Sequence, residues 1–73
     1  MQSARIAINA RRIADCVISQ SANCNSDPII YAIAIRDNIA RKLANCRSDK
    51  SRAELNSQLI AYNAAINLLK RLA

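Results

Sequence analysis

Five residue types are missing from this chain of 73 residues: histidine, glycine, threonine, phenylalanine and tryptophan. Each absence closes off some chemistry. Without histidine the commonest general base is gone, and neither a Ser-His nor a Cys-His nucleophile pair forms within the chain. Without glycine there is no Gly-rich loop to cradle a phosphate. At ordinary usage a chain of this length would carry about five glycines. Two tyrosines are the whole aromatic complement, which leaves little for stacking on nucleobases. Acidic residues are also few. Asp15, Asp27, Asp37, Asp49 and Glu54 are the only carboxylate side chains, and no two have the local spacing of a metal or glycosidase site. Catalysis is not expected, nor a cofactor, a metal or a small-molecule substrate. The shortened alphabet also raises the prospect of an artificial sequence.

What is present is positive charge. Eleven Lys and Arg against five Asp and Glu give a net charge of +6, which attracts acidic partners at long range without identifying them. No uncharged stretch approaches the roughly 20 apolar residues of a membrane-spanning helix. The opening M-Q-S-A-R-I-A has no apolar signal-peptide core. A soluble, cytoplasmic protein is expected. Cys16, Cys24 and Cys46 are odd in number and fit neither a disulfide framework nor a zinc motif. They are expected to be buried or half-buried thiols in a reducing compartment.

The chain repeats itself. Residues 22–27 read A-N-C-N-S-D and residues 44–49 read A-N-C-R-S-D, 22 positions apart. Setting 6–27 over 28–49 gives nine identities, among them Ile8/Ile30, Ala10/Ala32, Ile13/Ile35 and Asp15/Asp37. A period of this length marks one supersecondary unit used more than once.

The unit reads as a helix and a turn. Ile6, Ala10, Ile13, Ala14 and Val17 make a helical stripe, with Cys24 on the same side. N-C-N-S-D then ends the helix through local side-chain hydrogen bonds. Asp27 is the expected N-cap of a second helix, with Pro28 at its first position. Ile29, Ala32, Ile33, Ile35, Ile39, Ala40, Leu43 and Ala44 give that helix a broad apolar sector, suited to neighbours on two sides. Arg36 lies within this sector and reads as an edge residue with its head in water. A capping box of Ser51 and Glu54 is expected to open the third helix. Its seam is Leu55, Leu59, Tyr62, Ile66 and Leu69, with a second strip at Ala61, Ala65, Leu68 and Leu72. The expected fold is all-α: one domain, residues 1–73, folded as a small antiparallel three-helix bundle (up-down-up) with helices near 3–22, 28–46 and 51–72. One unit of a helical repeat array is the runner-up.

The Ser26-Asp27-Pro28 connection resembles loops of designed helical-repeat proteins. That resemblance implies an artificial, designed helical scaffold without a natural role, and points to no natural family.

Excess hydrophobicity is the better functional clue. Ile8, Ile18, Ile30 and Ile60 fall off the main stripes, and Ala61, Leu68 and Leu72 lie on the extra strip of helix three. These seven are the candidate protein-interface residues. They predict a non-catalytic helical interaction module that forms a homo-oligomer or binds a protein partner. The reading from another class is nucleic-acid binding by Arg41, Lys42, Arg47, Lys50 and Arg52 around the second turn, joined by Arg5, Arg11 and Arg12. A solvated surface is the plainer account of the same cations.

Overall fold

A computed structural model describes residues 2–72, with side chains described from residue 8 onward. Three helices follow one another: α1 (Gln2–Asn23), α2 (Pro28–Asn45) and α3 (Asp49–Leu72). Among the described residues there is no strand. The predicted boundaries hold to within two residues. The side chains of Arg5 and Ile6, assigned above to the basic cluster and the first stripe, lie outside the described residues.

The two copies of the repeated hexapeptide build different turns, and their mismatches explain why. In the first copy the Asn25 N–H donates to the Ala22 carbonyl at 3.3 Å, and the Ser26 N–H to the Ser21 carbonyl at 2.9 Å. Asn25 takes φ 55°. This is a Schellman cap, with asparagine in the left-handed position that glycine usually fills. The chain owns no glycine, so the next most tolerant residue serves. In the second copy Arg47 occupies the equivalent position. An arginine there gains no local side-chain compensation for a left-handed backbone, and α2 ends instead on an extended Cys46 (φ −82°, ψ 131°).

Helix starts diverge for a second reason. The residue before a proline avoids the α region, so Pro28 holds Asp27 extended (φ −67°, ψ 129°). From there its carboxylate accepts the N–H groups of Ile29 at 2.8 Å and Ile30 at 3.3 Å. The expected cap of α2 is therefore present. In the second copy Lys50 replaces Pro28, and nothing keeps Asp49 out of the helix. The Arg52 N–H already donates to the Ser48 carbonyl at 2.9 Å. Ser48 is thus the N-cap, and Ser51 lies inside the first turn. The expected Ser51/Glu54 capping box does not form, because the helix starts before it.

Topology follows from which residues share grooves. Asn9, Arg12 and Ile13 of α1 lie beside Ser57, Gln58, Ala61 and Tyr62 of α3. Further on, Ile18 meets Leu69 and Leu72. Numbers rise together, so α1 and α3 run parallel. The start of α2 reaches the end of α3, and its Leu43 meets Arg52, Ala53 and Asn56 at the start of α3. The arrangement is up-down-up. α3 packs along both other helices, which touch each other far less.

The buried apolar set is Ala10, Ala14, Val17, Ala32, Ile39, Ala61, Ala65, Ile66 and Leu69. Five of these nine are alanines, so the helices approach closely but little large apolar surface is hidden. The contiguous core joins Ala14, Val17, Ala32, Ile66 and Leu69. It therefore sits toward the pole that holds the end of α1, the start of α2 and the end of α3. Toward the opposite pole Leu43, Leu55 and Leu59 are only half-buried. Ala40 and Ala44, expected in the sector of α2, are exposed, in keeping with the sparse packing of α1 on α2. Ser21, unremarked in sequence, is 1% exposed, with its hydroxyl donating to the Ile18 carbonyl at 3.1 Å. No described helix is long and apolar enough to cross a membrane.

A candidate interaction site: one apolar pole and one basic pole

Five large apolar residues stand open to solvent: Ile8 (56% exposed), Ile18 (40%), Ile30 (68%), Ile60 (45%) and Leu72 (60%). At about 100° per residue, Ile8, Ile30 and Ile60 each lie roughly opposite the buried side of their own helix. These three cannot form one face. Ile60 stands alone among Asn56, Asn63 and Asn67 on the outer side of α3, all exposed.

Topology gathers a different set. Ile18 lies near the end of α1, Ile30 in the first turn of α2, and Leu72 at the end of α3, so all three belong to one pole. A groove of about 250 Å³ opens there between Ile18, Asp27, Pro28, Ile29, Leu69 and Leu72. Its lining is apolar except for Asp27, whose carboxylate is turned into the cap of α2. The two remaining interface candidates belong inside the chain. Ala61 is 8% exposed, and Leu68 packs against the core cluster, because the strip of α3 that carries them faces its neighbours.

The opposite pole is basic. Arg41, Lys42, Arg47, Lys50 and Arg52 are all exposed around the second turn. Among the described residues the ion pairs are Arg11–Asp15 at 3.5 Å and Arg36–Asp37 at 2.9 Å, so none of these five is neutralised by one. Arg41 Nε reaches the Asp37 carbonyl at 3.5 Å, which holds it along its own helix. Arg36 is half-buried and pairs with Asp37, as its edge position implies. Arg11 and Arg12 are exposed on α1, and Arg12 reaches the groove beside Ser57 and Gln58.

A third cluster went unnoticed in the sequence. Tyr31, on α2, donates its hydroxyl to Gln20 Oε1 on α1 at 3.1 Å, bridging two helices that otherwise touch sparingly. Tyr62 lies close by on α3. Burial raises its phenol above the usual value, helped by the thiol of Cys16 and the hydroxyl of Tyr31. Cys16 and Cys24 are exposed and Cys46 is partly buried; all three are free thiols. The expected burial fails for Cys16, which lies off the stripe of Ala10, Ala14 and Val17 on α1, and for Cys24, which follows the last residue of that helix. Cys24 and Cys46 flank α2, whose 18 residues span about 27 Å.

No family model matches this chain, and no curated protein or solved structure shows significant similarity to it.

Proposed function

We propose that the chain is a non-catalytic helical interaction module that docks protein through its apolar pole. The observation that carries this reading is an excess of exposed surface. The chain exposes 5388 Å², whereas a folded monomer of its 8.0 kDa exposes about 4,450 Å². Its radius of gyration of 12.6 Å likewise exceeds the roughly 11 Å of a compact domain of this length. An alanine-rich core leaves large side chains uncovered, and three of the most exposed share one pole. A docked protein would cover them and support a marginal fold. Three free thiols fit a reducing setting such as the cytoplasm.

Display selection of amphipathic helical peptides at low micromolar protein tests the docking surface. Captured peptides should survive molar salt and be lost on Ile18→Asp or Leu72→Asp. Peptides indifferent to both substitutions would remove the basis for this reading.

The second reading uses the other pole. Five exposed cations outside any ion pair among the described residues suit a nucleic-acid backbone, with a steep loss of binding as salt rises. Retention on DNA or RNA at low salt, abolished by Arg47→Glu with Lys50→Glu, is its signature. No retention would end it.

A further inference from the structure

The apolar pole has a self-complementary chemistry, and we infer that its occupant is a second copy of this chain, related by a two-fold axis. The inference rests on the docking reading above and names the partner. Two quantities lead to it, and the first is area. The surface in excess of a compact monomer is roughly 900 Å², and one partner in a standard stable interface gives up about 800 Å². The excess is therefore of the size that one partner contributes to such an interface, and Ile18, Ile30 and Leu72 are among the side chains that make it up.

Charge is the second. Two copies at +6 repel, so most ways of joining them are disfavoured. The apolar pole is the exception. Arg41, Lys42, Arg47, Lys50 and Arg52 all lie at the far end of each copy, roughly the length of α2 away. An end-to-end pair places those clusters at its outer extremes. Screening further reduces repulsion across such a distance, which exceeds the Debye length at physiological salt. Near the groove the charges are mixed: Asp27 on the rim, and Lys70 and Arg71 in the last turn of α3. An isologous contact sets each patch against its own image, so a residue on one copy meets a different residue on the other and the reverse. Asp27 of each copy then faces the Lys70–Arg71 turn of the other. An acidic partner would suit the basic pole better than this one. Ile18 and Leu72, which line the groove, supply the apolar centre, with Ile30 on the outer side of α2 at its edge and the charged residues as its rim, the usual anatomy of a specific interface.

Sedimentation equilibrium of the full chain, from micromolar to submillimolar and at low and molar salt, reads the result. A species of twice the chain mass is expected, and it should persist or tighten at molar salt. Ile18→Asp and Leu72→Asp should each weaken dimerisation at least about 30-fold by placing a charge in an apolar contact. Both side chains are partly open to solvent in the single chain, so circular dichroism should show each variant still folded. Ile18→Ser and Leu72→Ser, which add no charge at the helix ends, should weaken the dimer in the same direction. Lys70→Glu with Arg71→Glu should weaken the dimer about tenfold by setting like charges against Asp27. Asp27→Asn keeps the helix cap and should recover part of that loss. A wild type that stays monomeric throughout overturns the inference. If peptide capture still depends on Ile18, the docking surface survives and its occupant is foreign. If neither association nor capture occurs, both readings fall. A dimer indifferent to Ile18 and Leu72 also overturns the inference, since it would be built elsewhere.

Discussion

Asn25 and Arg47 are aligned positions of one repeat, yet the same substitution should act oppositely on them. An ordinary L-residue in the left-handed region loses about 1–2 kcal/mol, while asparagine loses less because its side chain bonds locally. Asn25→Ala removes that compensation at φ 55° and should destabilise by about 1 kcal/mol. Asn25→Gly removes the Cβ strain but frees the unfolded chain by about 0.4–1 kcal/mol. The net is a variant as stable as the wild type or slightly more so. Arg47 has no positive φ, Asn25 being the single such residue described. There Ala should stay within about 0.5 kcal/mol, and Gly should cost about 0.5–1 kcal/mol through entropy alone. For 73 residues, 1 kcal/mol corresponds to a shift of about 6 °C in Tm. Thermal melts followed by circular dichroism at 222 nm resolve this readily. Glycine should thus be harmless at 25 and harmful at 47, and alanine the reverse. Equal shifts for the two alanine variants would show that both turns share one conformation, and the account of their divergence would be wrong.

Three further perturbations test other parts of the structure. Ala65 is fully buried between helices; Ala65→Leu should cost about 1–3 kcal/mol by forcing them apart, visible as a lower urea midpoint at an unchanged slope. Tyr62 has a raised phenol pKa from burial, then Cys16, then Tyr31. The folded state therefore holds that proton more tightly than the unfolded state. Its contribution is complete below the unfolded value near 10 and is lost as pH rises through the folded one. Tyr62→Phe should thus lose less stability than wild type above about pH 10 in melts over that range. Lys50→Pro restores to the second junction the residue that fixes the first. It should push Asp49 out of the helix, giving that residue extended Cα chemical shifts, with stability changed by no more than about 0.5 kcal/mol.

Much of the fold was legible because it rests on local rules. The spacing of Ala10, Ala14 and Val17 fixed one helix face, and Asp27-Pro28 marked a helix start that the backbone adopts. Elsewhere the local reading failed. Nothing in Ser51 and Glu54 reveals that Ser48 starts the helix first, since that follows from a proline absent two residues later. Cys24 shares the phase of its helical stripe, but a left-handed Asn25 shows that the helix is already ending there. The assignment of Ala61 and Leu68 to an external face needed to know which sides of α3 its neighbours take. Helix phase within a chain is written in the sequence, whereas the phase of one helix against another is a packing outcome.

The repeat shapes the candidate site by an indirect route. Several aligned pairs keep their burial: Ala10 and Ala32 are both hidden, Val17 and Ile39 likewise, and Ile8 and Ile30 are both exposed, whereas hidden Ala14 and Ser21 match half-buried Arg36 and Leu43. A copied helix thus reproduces a copied contact face. But α1 and α2 run in opposite directions, so equivalent residues travel to opposite ends of the molecule. Ile8 falls in the half of α1 beside the start of α3, while Ile30 joins Ile18 and Leu72 at the other pole. Antiparallel duplication conserves what is needed for packing and divides what is left for binding. Two like helices therefore yield unlike poles, and in the proposed pairing a single apolar end rather than two would let self-association close at a pair. Were both ends apolar, copies would add head to tail without limit. In the proposed pairing the cations of the second turn, which align with the uncharged Ser19, Gln20, Asn25, Pro28 and Ile30 of the first copy, would keep the other end from docking in the same way.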